Sequence, residues 1–356
     1  MNGSNSNLQS VTGRLSFLDG LRGYAIIMVV ATHAMAYVSL DDSTVRLFSF
    51  WVQGIAVPPF FLADGYLFVH ALKTPARYSY AQYCLRSARR LLIPWISFNL
   101  LYLCSRAIFE LLGQSSSTVV IGHSVRNILE AIYYSEISAQ LYFLPALFCI
   151  RLTSFAIRFF PRLPLSASVM IWLLYAAAWN LELFFDRHEG QLDPIVHAAW
   201  GMQYYILGMI LGSPSIQATY RPHVLTAIAA ICLGITLLAY PSSTVLAQYA
   251  YLTGAYFLFL RVGETAYPFI FLGRFTMGIY LLHSPILLKL SSVIVGALMG
   301  RTGIAPYLAL AGATIMTSLL AIKACRCSRW GQVVLGEGRK ETALSESSSV
   351  LANRLS

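Results

Sequence analysis

The sequence contains little charge. Asp, Glu, Lys and Arg make up 11% of its 356 residues, whereas a typical soluble domain contains about 25%. Hydrophobic residues account for 57% of the chain, and the mean hydropathy is +0.63. This composition excludes an ordinary soluble domain and predicts a protein that crosses a membrane several times. We interpret the net charge of +10 as a signal of orientation in the membrane, and we expect membrane lipids rather than nucleic acid around the protein.

The motifs of several soluble enzyme classes are also missing. The chain has no phosphate-binding glycine loop, no G-x-S-x-G nucleophile elbow and no H-E-x-x-H zinc motif. The cysteines are scattered and show neither a disulfide framework nor metal-ligand spacing; they are Cys84, Cys104, Cys149, Cys232, Cys325 and Cys327. The sequence therefore predicts no metal cofactor, and any chemistry must come from polar residues within apolar segments.

Apolar segments long enough to cross about 30 Å of hydrocarbon recur along the chain. We place ten of them, at 18–40, 47–71, 89–112, 139–160, 165–185, 195–212, 222–240, 243–260, 267–289 and 304–323. With the N-terminus in the cytosol, this count puts most Lys and Arg residues of the connections on the cytosolic side and most carboxylates on the opposite side. The prediction is an all-α membrane protein, a bundle of about ten transmembrane helices with both termini cytosolic.

Three parts can be distinguished along the chain. Residues 1–16 form a polar N-terminal segment, residues 17–325 form the transmembrane domain, and residues 326–356 form a cytosolic C-terminal tail. Because the tail after Trp330 is rich in Ser, Glu and Arg, we expect it to be disordered.

The first apolar segment carries two ionisable residues. Arg22 and His33 are eleven residues apart, so on a helix they lie on one face, about 16 Å apart along the axis. Ionisable side chains inside a membrane are costly and usually mark functional sites. We predict that both residues are functional. The alternative is that Arg22 marks the membrane boundary while His33 hydrogen-bonds a neighbouring helix.

The second segment carries a carboxylate, Asp64, shortly after the helix-breaking prolines Pro58 and Pro59. A lone carboxylate inside a membrane needs a partner, and we expect that partner to be Arg22 or His33. A purely structural ion pair is the alternative.

Basic residues collect at the cytosolic edge of the third segment. Arg86, Arg89 and Arg90 are spaced i, i+3 and i+4, and so share one helix face. Guanidinium groups bind phosphate oxygens bidentately, but an orientation signal beside anionic lipid head groups gives the same pattern. Arg151 is a further cation, well inside the fourth segment.

Two other places could contact a substrate. His283 lies in the ninth segment, two residues before a proline, and a structural hydrogen bond is its alternative role. On the outer side, Tyr142 opens the fourth segment and Glu182 follows Trp179. Carboxylates beside aromatic rings suit a sugar site, but an aromatic belt and a solvated loop have the same composition.

These segments together resemble the membrane-bound acyltransferase family 3, whose members O-acylate cell-envelope glycans and related acceptors. The resemblance covers roughly residues 16–325. Two positions depart from the family's pattern: Asp64 stands where Ser is common, and Tyr142 stands where Trp is frequent. The matching pieces, in chain order, are Leu18–Gly23 with Arg22 and His33, the double-Phe segment Phe60 to Gly65, the R-x-x-R of Arg86 and Arg89, Tyr142–Leu144, and Gly278–Pro285.

The resemblance implies an acyl-CoA-dependent O-acetyltransferase, by default in a bacterial inner membrane. Acetyl-CoA is the implied co-substrate, with succinyl as an alternative acyl group, and the implied acceptor is a glycan or lipid-linked oligosaccharide. His33 would act as general base on the acceptor hydroxyl, because imidazole titrates near neutral pH; an acyl-enzyme route through His33 stays open. The assigned site residues are His33, Arg22 and Asp64 as catalytic, Arg22, Arg86, Arg89, Arg90 and Arg151 as cofactor-binding, and Tyr142, His283 and Glu182 as substrate-binding.

A protein of a different class would share several of these features. A transporter or lipid-linked glycan flippase also places ionisable residues in its membrane spans, as proton or substrate relays, and a non-catalytic scaffold is a third possibility. A transporter predicts inverted repeats, and the hydropathy shows no symmetry between the halves of the chain. Turnover of acetyl-CoA by the purified protein distinguishes the enzyme from both.

Overall fold

The computed structural model of the protein describes residues 15–72, 79–113, 124–181, 193–217, 221–239 and 245–336. Within these ranges the chain is predominantly helical and has no strand, and the single β-bridge, between Ser39 and Thr302, belongs to no sheet. The predicted all-α fold class is therefore confirmed.

Seventeen α-helices lie in the described ranges, and short 3₁₀ and π turns link several of them. The α-helices are α1 (Ser16–Ala34), α2 (Asp42–Phe48), α3 (Gly54–Ala56), α4 (Pro58–Leu72), α5 (Tyr80–Leu111), α6 (Val125–Tyr133), α7 (Phe143–Ser154), α8 (Leu165–Asn180), α9 (Pro194–Leu211), α10 (Pro214–Gln217), α11 (Pro222–Ala239), α12 (Val245–Val262), α13 (Tyr267–Gly273), α14 (Thr276–Leu282), α15 (Leu288–Met299), α16 (Ile304–Arg326) and α17 (Arg329–Val334).

Several helical stretches have the length and apolarity needed to cross a membrane. In the described part of the chain five qualify: Asp42–Leu72, Tyr80–Leu111, Val245–Thr265, Thr276–Met299 and Ile304–Arg326. Leu165–Asn180 and His223–Leu238 are shorter apolar helices. Many of the large apolar side chains on these helices are exposed, as expected of surfaces that face lipid. The protein is an integral membrane protein.

The third apolar stretch begins earlier than hydropathy predicts. Instead of starting near residue 89, α5 starts at Tyr80. Ser79 caps it by accepting a hydrogen bond from the Gln82 amide, and the Gln82 side chain accepts one from the Ser79 amide. Such a reciprocal capping box sets the helix start independently of hydropathy. Consequently Arg86 and Arg89, which the sequence placed on a helix face at the membrane edge, belong to the same continuous helix as the apolar stretch that follows them.

The segment that follows the last long helix is partly ordered, which corrects our expectation of a disordered tail after Trp330. Residues 329–334 form α17, which packs against α5 and α16. Leu335 is buried. Gly336 adopts a left-handed backbone (φ 72°), and a Cβ atom there would lie 2.7 Å from the Arg90 carbonyl oxygen. The start of the predicted tail thus packs beside Arg90.

Helix α1 lies at the centre of the bundle, in contact with α3, α4, α12, α13, α14 and α16. Its closest approach is to α13. A Cβ atom on Gly23 would lie 1.8 Å from the Phe269 carbonyl oxygen, and one on Gly273 would lie 1.9 Å from the Asp19 carbonyl oxygen. Only glycine allows such backbone contact. The contact fixes the residues next to these glycines, Arg22 and Arg274, near each other.

Candidate active site

A cavity of about 150 Å³ opens among α1, α4, α5, α7, α13 and α14, at the end of the bundle where α1 begins. Its apolar wall includes Phe60, Phe143, Leu147 and Tyr280. Four arginines and two aspartates also line it, so positive charge prevails, and a cavity of this kind suits an anionic ligand. These charged residues are Asp19, Arg22, Asp64, Arg90, Arg151 and Arg274.

Asp64 and Arg151 form a bidentate ion pair within this cavity. The Arg151 Nε donates to Asp64 Oδ2 at 3.0 Å, and the Arg151 Nη2 donates to Asp64 Oδ1 at 2.5 Å. Their side chains are 15% and 8% exposed, respectively. Our expectation that Arg22 or His33 is the partner of Asp64 is therefore wrong: α7 places a guanidinium group directly against the carboxylate. A carboxylate held on both oxygens by arginine fixes the guanidinium in turn.

Arg22, Arg90 and Arg274 line the same cavity from three different helical segments. Arg274 directly follows α13 and is a cavity-lining residue that the sequence analysis did not select. A sequence signal for it exists: Arg274 is a cation inside the ninth apolar segment and directly follows a glycine, just as Arg22 directly precedes Gly23 in the first segment. The structure brings these two Gly-Arg neighbourhoods together through the contact between α1 and α13.

The other predicted cofactor-binding residues lie outside the cavity. Arg86 and Arg89 are exposed on α5, one turn or less before Arg90, and neither lines the cavity wall. All three arginines are exposed, but only Arg90 also lines the cavity. Arg86 lies about 6 Å earlier along the helix axis, and Arg89 points about 100° away from Arg90.

The two predicted imidazoles come together deeper in the bundle. The rings of His33 and His283 have centroids 5.1 Å apart and planes inclined by 53°. His33 is half-buried near the end of α1, and His283 is fully buried directly after α14. His33 lies about 16 Å along α1 from Arg22. Tyr280 lines the cavity, and its ring centroid is 6.2 Å from that of His283, so α14 links the cavity to the imidazole pair.

The His283 ring is held by its own helix. Its Nδ1 lies 2.8 Å from the Tyr280 carbonyl oxygen and 3.1 Å from the Ile279 carbonyl oxygen. Because a carbonyl oxygen can only accept, Nδ1 carries the proton and Nε2 carries the lone pair. The neutral ring therefore presents a hydrogen-bond acceptor on its far edge.

Side chains from elsewhere in the bundle satisfy the backbone between α14 and α15, where Pro285 interrupts the helix. Proline has no N–H, so the carbonyl oxygen of Leu281, four residues earlier, receives no helical hydrogen bond. The Tyr102 hydroxyl of α5 donates to that carbonyl oxygen instead. Ser284 departs from helical geometry (φ −128°, ψ 147°), and its carbonyl accepts from the Gln140 side chain. A broken helix inside a membrane needs such replacements. They hold His283 in place from both sides.

Tyr142 lies at the opposite end of α7 from Arg151, about 13 Å away along the helix axis. Its ring packs against that of His197 on α9, with centroids 4.3 Å apart. The His197 Nδ1 is 2.9 Å from the Asp193 carbonyl oxygen, so its Nε2 also presents a lone pair. His197 was not selected from the sequence, because it has no metal-ligand spacing to the other histidines. Glu182, predicted to bind substrate, lies outside the described residues.

The fold and this site together define an integral membrane protein with a basic cavity at one end and an imidazole pair within the bundle. The family model for acyltransferase family 3, described as an acyltransferase domain, matches residues 15–323. The chain belongs to this family, which confirms the resemblance drawn from the motifs, and the protein is a membrane acyltransferase. Comparison with curated proteins and with solved structures finds no significant match.

Proposed function

We propose that this acyltransferase moves an acetyl group from cytosolic acetyl-CoA to a hydroxyl of a cell-envelope or exported glycan. One spatial relationship carries the proposal: an arginine-rich cavity lies at one end of α1, and the imidazole of His33 lies about 16 Å further along the same helix. A donor with a phosphorylated head and a long, slender arm ending in a thioester matches that arrangement.

The proposal assigns the phosphates of CoA to Arg22, Arg90 and Arg274, whose guanidinium groups line the cavity from different helices. Guanidinium groups bind phosphate oxygens strongly because their hydrogen bonds are charge-assisted. Arg151 is already engaged by Asp64, so this pair shapes the cavity wall rather than supplying a free cation. Arg86 and Arg89, exposed on the same helix as Arg90, attract the anionic donor from solution.

The proposed chemistry is a direct transfer with His33 as general base. His33 takes the proton of the acceptor hydroxyl as its oxygen attacks the thioester carbonyl, so that a C–O bond forms while the C–S bond breaks. The departing thiolate of CoA receives that proton from His33, and the products are the ester and free CoA. A neutral imidazole suits this task because its ordinary pKa lies near the working pH.

The acceptor is assigned to the opposite end of the bundle, where Tyr142 packs against His197. Aromatic rings offer a sugar an apolar face, and the His197 Nε2 offers an acceptor for a hydroxyl group. Glu182, which lies outside the described residues, stays a prediction from the sequence as a substrate-binding residue. A glycan or lipid-linked oligosaccharide is the acceptor class that we infer from the family.

This assignment requires a defined topology. We infer ten membrane crossings with both termini in the cytosol, because that arrangement satisfies the excess of Lys and Arg on cytosolic loops. The basic cavity then faces the cytosol, where acyl-CoA is found, and Tyr142 faces the other side. A bacterial inner membrane is the proposed location.

The test is turnover of radiolabelled acetyl-CoA by the purified protein in lipid nanodiscs, with extracted envelope glycans as acceptor and release of free CoA as second readout. Wild type should transfer label to glycan, and His33→Ala should bind acetyl-CoA yet lose about 10²- to 10⁴-fold in turnover, the usual contribution of a general base. His223→Ala, at an exposed histidine on α11, is the matched control. Full turnover by folded His33→Ala refutes the base, and substrate flux without acyl chemistry would make the protein a transporter.

A further inference from the structure

The Nε2 atom of His283 is an unusual feature of the bundle interior. The His283 side chain is fully buried, and Nε2 has no hydrogen-bond partner among the residues that the structure describes. Leaving a buried acceptor unpaired destabilises a fold, so such an atom usually has a ligand or a functional partner. The hydrogen bonds from Nδ1 to two backbone carbonyl oxygens fix the orientation of the ring and therefore the direction of Nε2.

The neighbouring ring is that of His33. The two ring centroids are 5.1 Å apart, so a rotation of the His33 ring is enough to bring one of its nitrogen atoms within hydrogen-bond distance of His283 Nε2. A neutral His33 has one N–H and one lone pair. Because His283 Nε2 can only accept while its Nδ1 carries the proton, the His33 nitrogen that faces it must be the one that carries hydrogen.

We propose that His283 is a positioning residue for the acyl transfer: its Nε2 accepts a hydrogen bond from the His33 ring and leaves the other His33 nitrogen unprotonated toward the acceptor hydroxyl. The inference rests on the proposed function, in which His33 is the base, and it replaces the substrate-binding role that the sequence assigned to His283. A general base is commonly oriented by a further side chain, which sets the tautomer of the base and the direction in which its lone pair points. A neutral imidazole performs that role here without adding a charge to the membrane interior.

The protons balance without any change at His283. His33 takes the hydroxyl proton on its free nitrogen and passes it to the thiolate of CoA, while its other N–H stays directed at His283. The position of the His283 ring is set by hydrogen bonds to the backbone on either side of it, so the ring can orient His33. The Tyr102 hydroxyl and the Gln140 amide hold the carbonyls of Leu281 and Ser284 on either side of it.

Two substitutions of His283 distinguish a role in positioning His33 from a purely structural role. His283→Asn keeps an N–H near the position of Nδ1, so it can still donate to the Tyr280 carbonyl, but it has no atom at the position of Nε2. His283→Gln does the reverse, since its amide group reaches the position of Nε2 and loses the contact at Nδ1. Positioning predicts that Gln retains more turnover than Asn, whereas a structural role predicts that Asn retains more.

The experiment measures CoA release and label transfer for wild type, His283→Asn, His283→Gln, His33→Ala and the double variant His33→Ala/His283→Asn, with thermal unfolding of each. We expect His283→Asn to lower kcat about 10²-fold, the lower end of what a general base contributes, at an unchanged KM for acetyl-CoA. In the His33→Ala background the second substitution should have no further effect, because residues that act as one unit are not additive.

The outcomes distinguish this inference from the proposed function. Full kcat for a folded His283→Asn, beside an inactive His33→Ala, overturns the positioning role alone. Losses for Asn and Gln that follow their melting temperatures also overturn it. Full turnover by His33→Ala overturns both the inference and the base on which it depends. If His283→Asn fails to fold, the comparison of His283→Gln with wild type and with His33→Ala still decides, since positioning requires Gln to keep activity well above that of His33→Ala.

Discussion

Asp64 of α4 and Arg151 of α7 are joined by two parallel hydrogen bonds in the wall of the basic cavity. The pair connects two helices that both pack against α9, and it removes one carboxylate and one guanidinium from the charges that are open to a ligand. The pair therefore affects the stability of the protein and the net charge that the cavity presents to a ligand, and the two effects can be measured separately.

Breaking this pair from one side should destabilise the protein. Asp64→Asn leaves the Arg151 guanidinium largely buried without its counter-charge, and removing one partner of a buried pair costs about 3–5 kcal/mol. Thermal unfolding in detergent, followed by size-exclusion chromatography, measures the loss. Replacing both residues, as Asp64→Leu/Arg151→Met, should recover most of the stability because no charge is left unpaired. An Asp64→Asn protein with the wild-type melting temperature would show that the pair contributes nothing.

The cavity arginines should determine donor affinity. Each single substitution Arg22→Gln, Arg90→Gln or Arg274→Gln removes a charge-assisted hydrogen bond worth about 1.5–3 kcal/mol, so the KM for acetyl-CoA should rise roughly 10- to 150-fold. Turnover of acetyl-pantetheine, which lacks the nucleotide phosphates, should not change. Arg86→Gln and Arg89→Gln are the matched controls. Their smaller effects should disappear at high salt because neither residue lines the cavity, so both act on the donor only through screened, long-range attraction. Equal effects on both thioesters would refute a phosphate site.

Removing only the hydroxyl of Tyr102 should lower both the stability and the turnover of the protein. Tyr102→Phe deletes the donor to the Leu281 carbonyl, and Pro285 prevents the helix from supplying another. An unsatisfied buried carbonyl costs about 1–3 kcal/mol, and the backbone that holds His283 loses a support, so both the melting temperature and kcat should fall. Tyr80→Phe is the control: its hydroxyl donates to the Leu152 carbonyl at 2.7 Å on the exposed surface of α5, where water can replace it. Equal losses in the two variants would contradict the argument.

The cap of α2 should weaken in acid. Hydrogen bonds from the Ser43 hydroxyl and from Thr44 hold the pKa of the Asp41 carboxyl below its usual range, and Asp41 precedes the apolar stretch. A depressed pKa means that the cap stabilises the helix fully above the unfolded pKa of about 3.9, and that this stabilisation is lost as the pH falls through the lower folded value.

Hydrogen exchange can follow this cap through the Thr44 amide, which donates to Asp41 Oδ2 at 3.0 Å. Protection of that amide should fall with the pH in wild type after correction for intrinsic exchange. In Asp41→Ala protection should be low at every pH. A wild-type profile in Asp41→Ala would show that the carboxylate is not the cap.

The helices themselves were largely predictable, because hydropathy and capping are local properties of the sequence. Each of the ten predicted apolar segments overlaps at least one described helix. The motifs also selected Arg22 and Asp64, which line the cavity, and His283, which lies beside His33. The start of α5 was missed because a polar capping box, rather than hydropathy, sets it.

The pairings were not predictable, because they join residues far apart in the chain. Asp64 meets Arg151 across 87 positions, and Arg274 reaches the cavity only because Gly23 and Gly273 allow two backbones to touch. Helix order and hydropathy do not specify which faces of two helices meet. That depends on side-chain volume at each contact, which a single sequence leaves open.

The contact between His33 and His283 also sets an order of events during synthesis. At about 5–20 residues per second, roughly 12 to 50 seconds separate the emergence of the two histidines from the ribosome. Until α13 and α14 emerge, α1 is present without them. During that time His33 lacks its neighbouring imidazole, and no backbone packs against Gly23. If the proposed site is correct, we expect a nascent chain arrested before α14 to be inactive, even though most of its helices already exist.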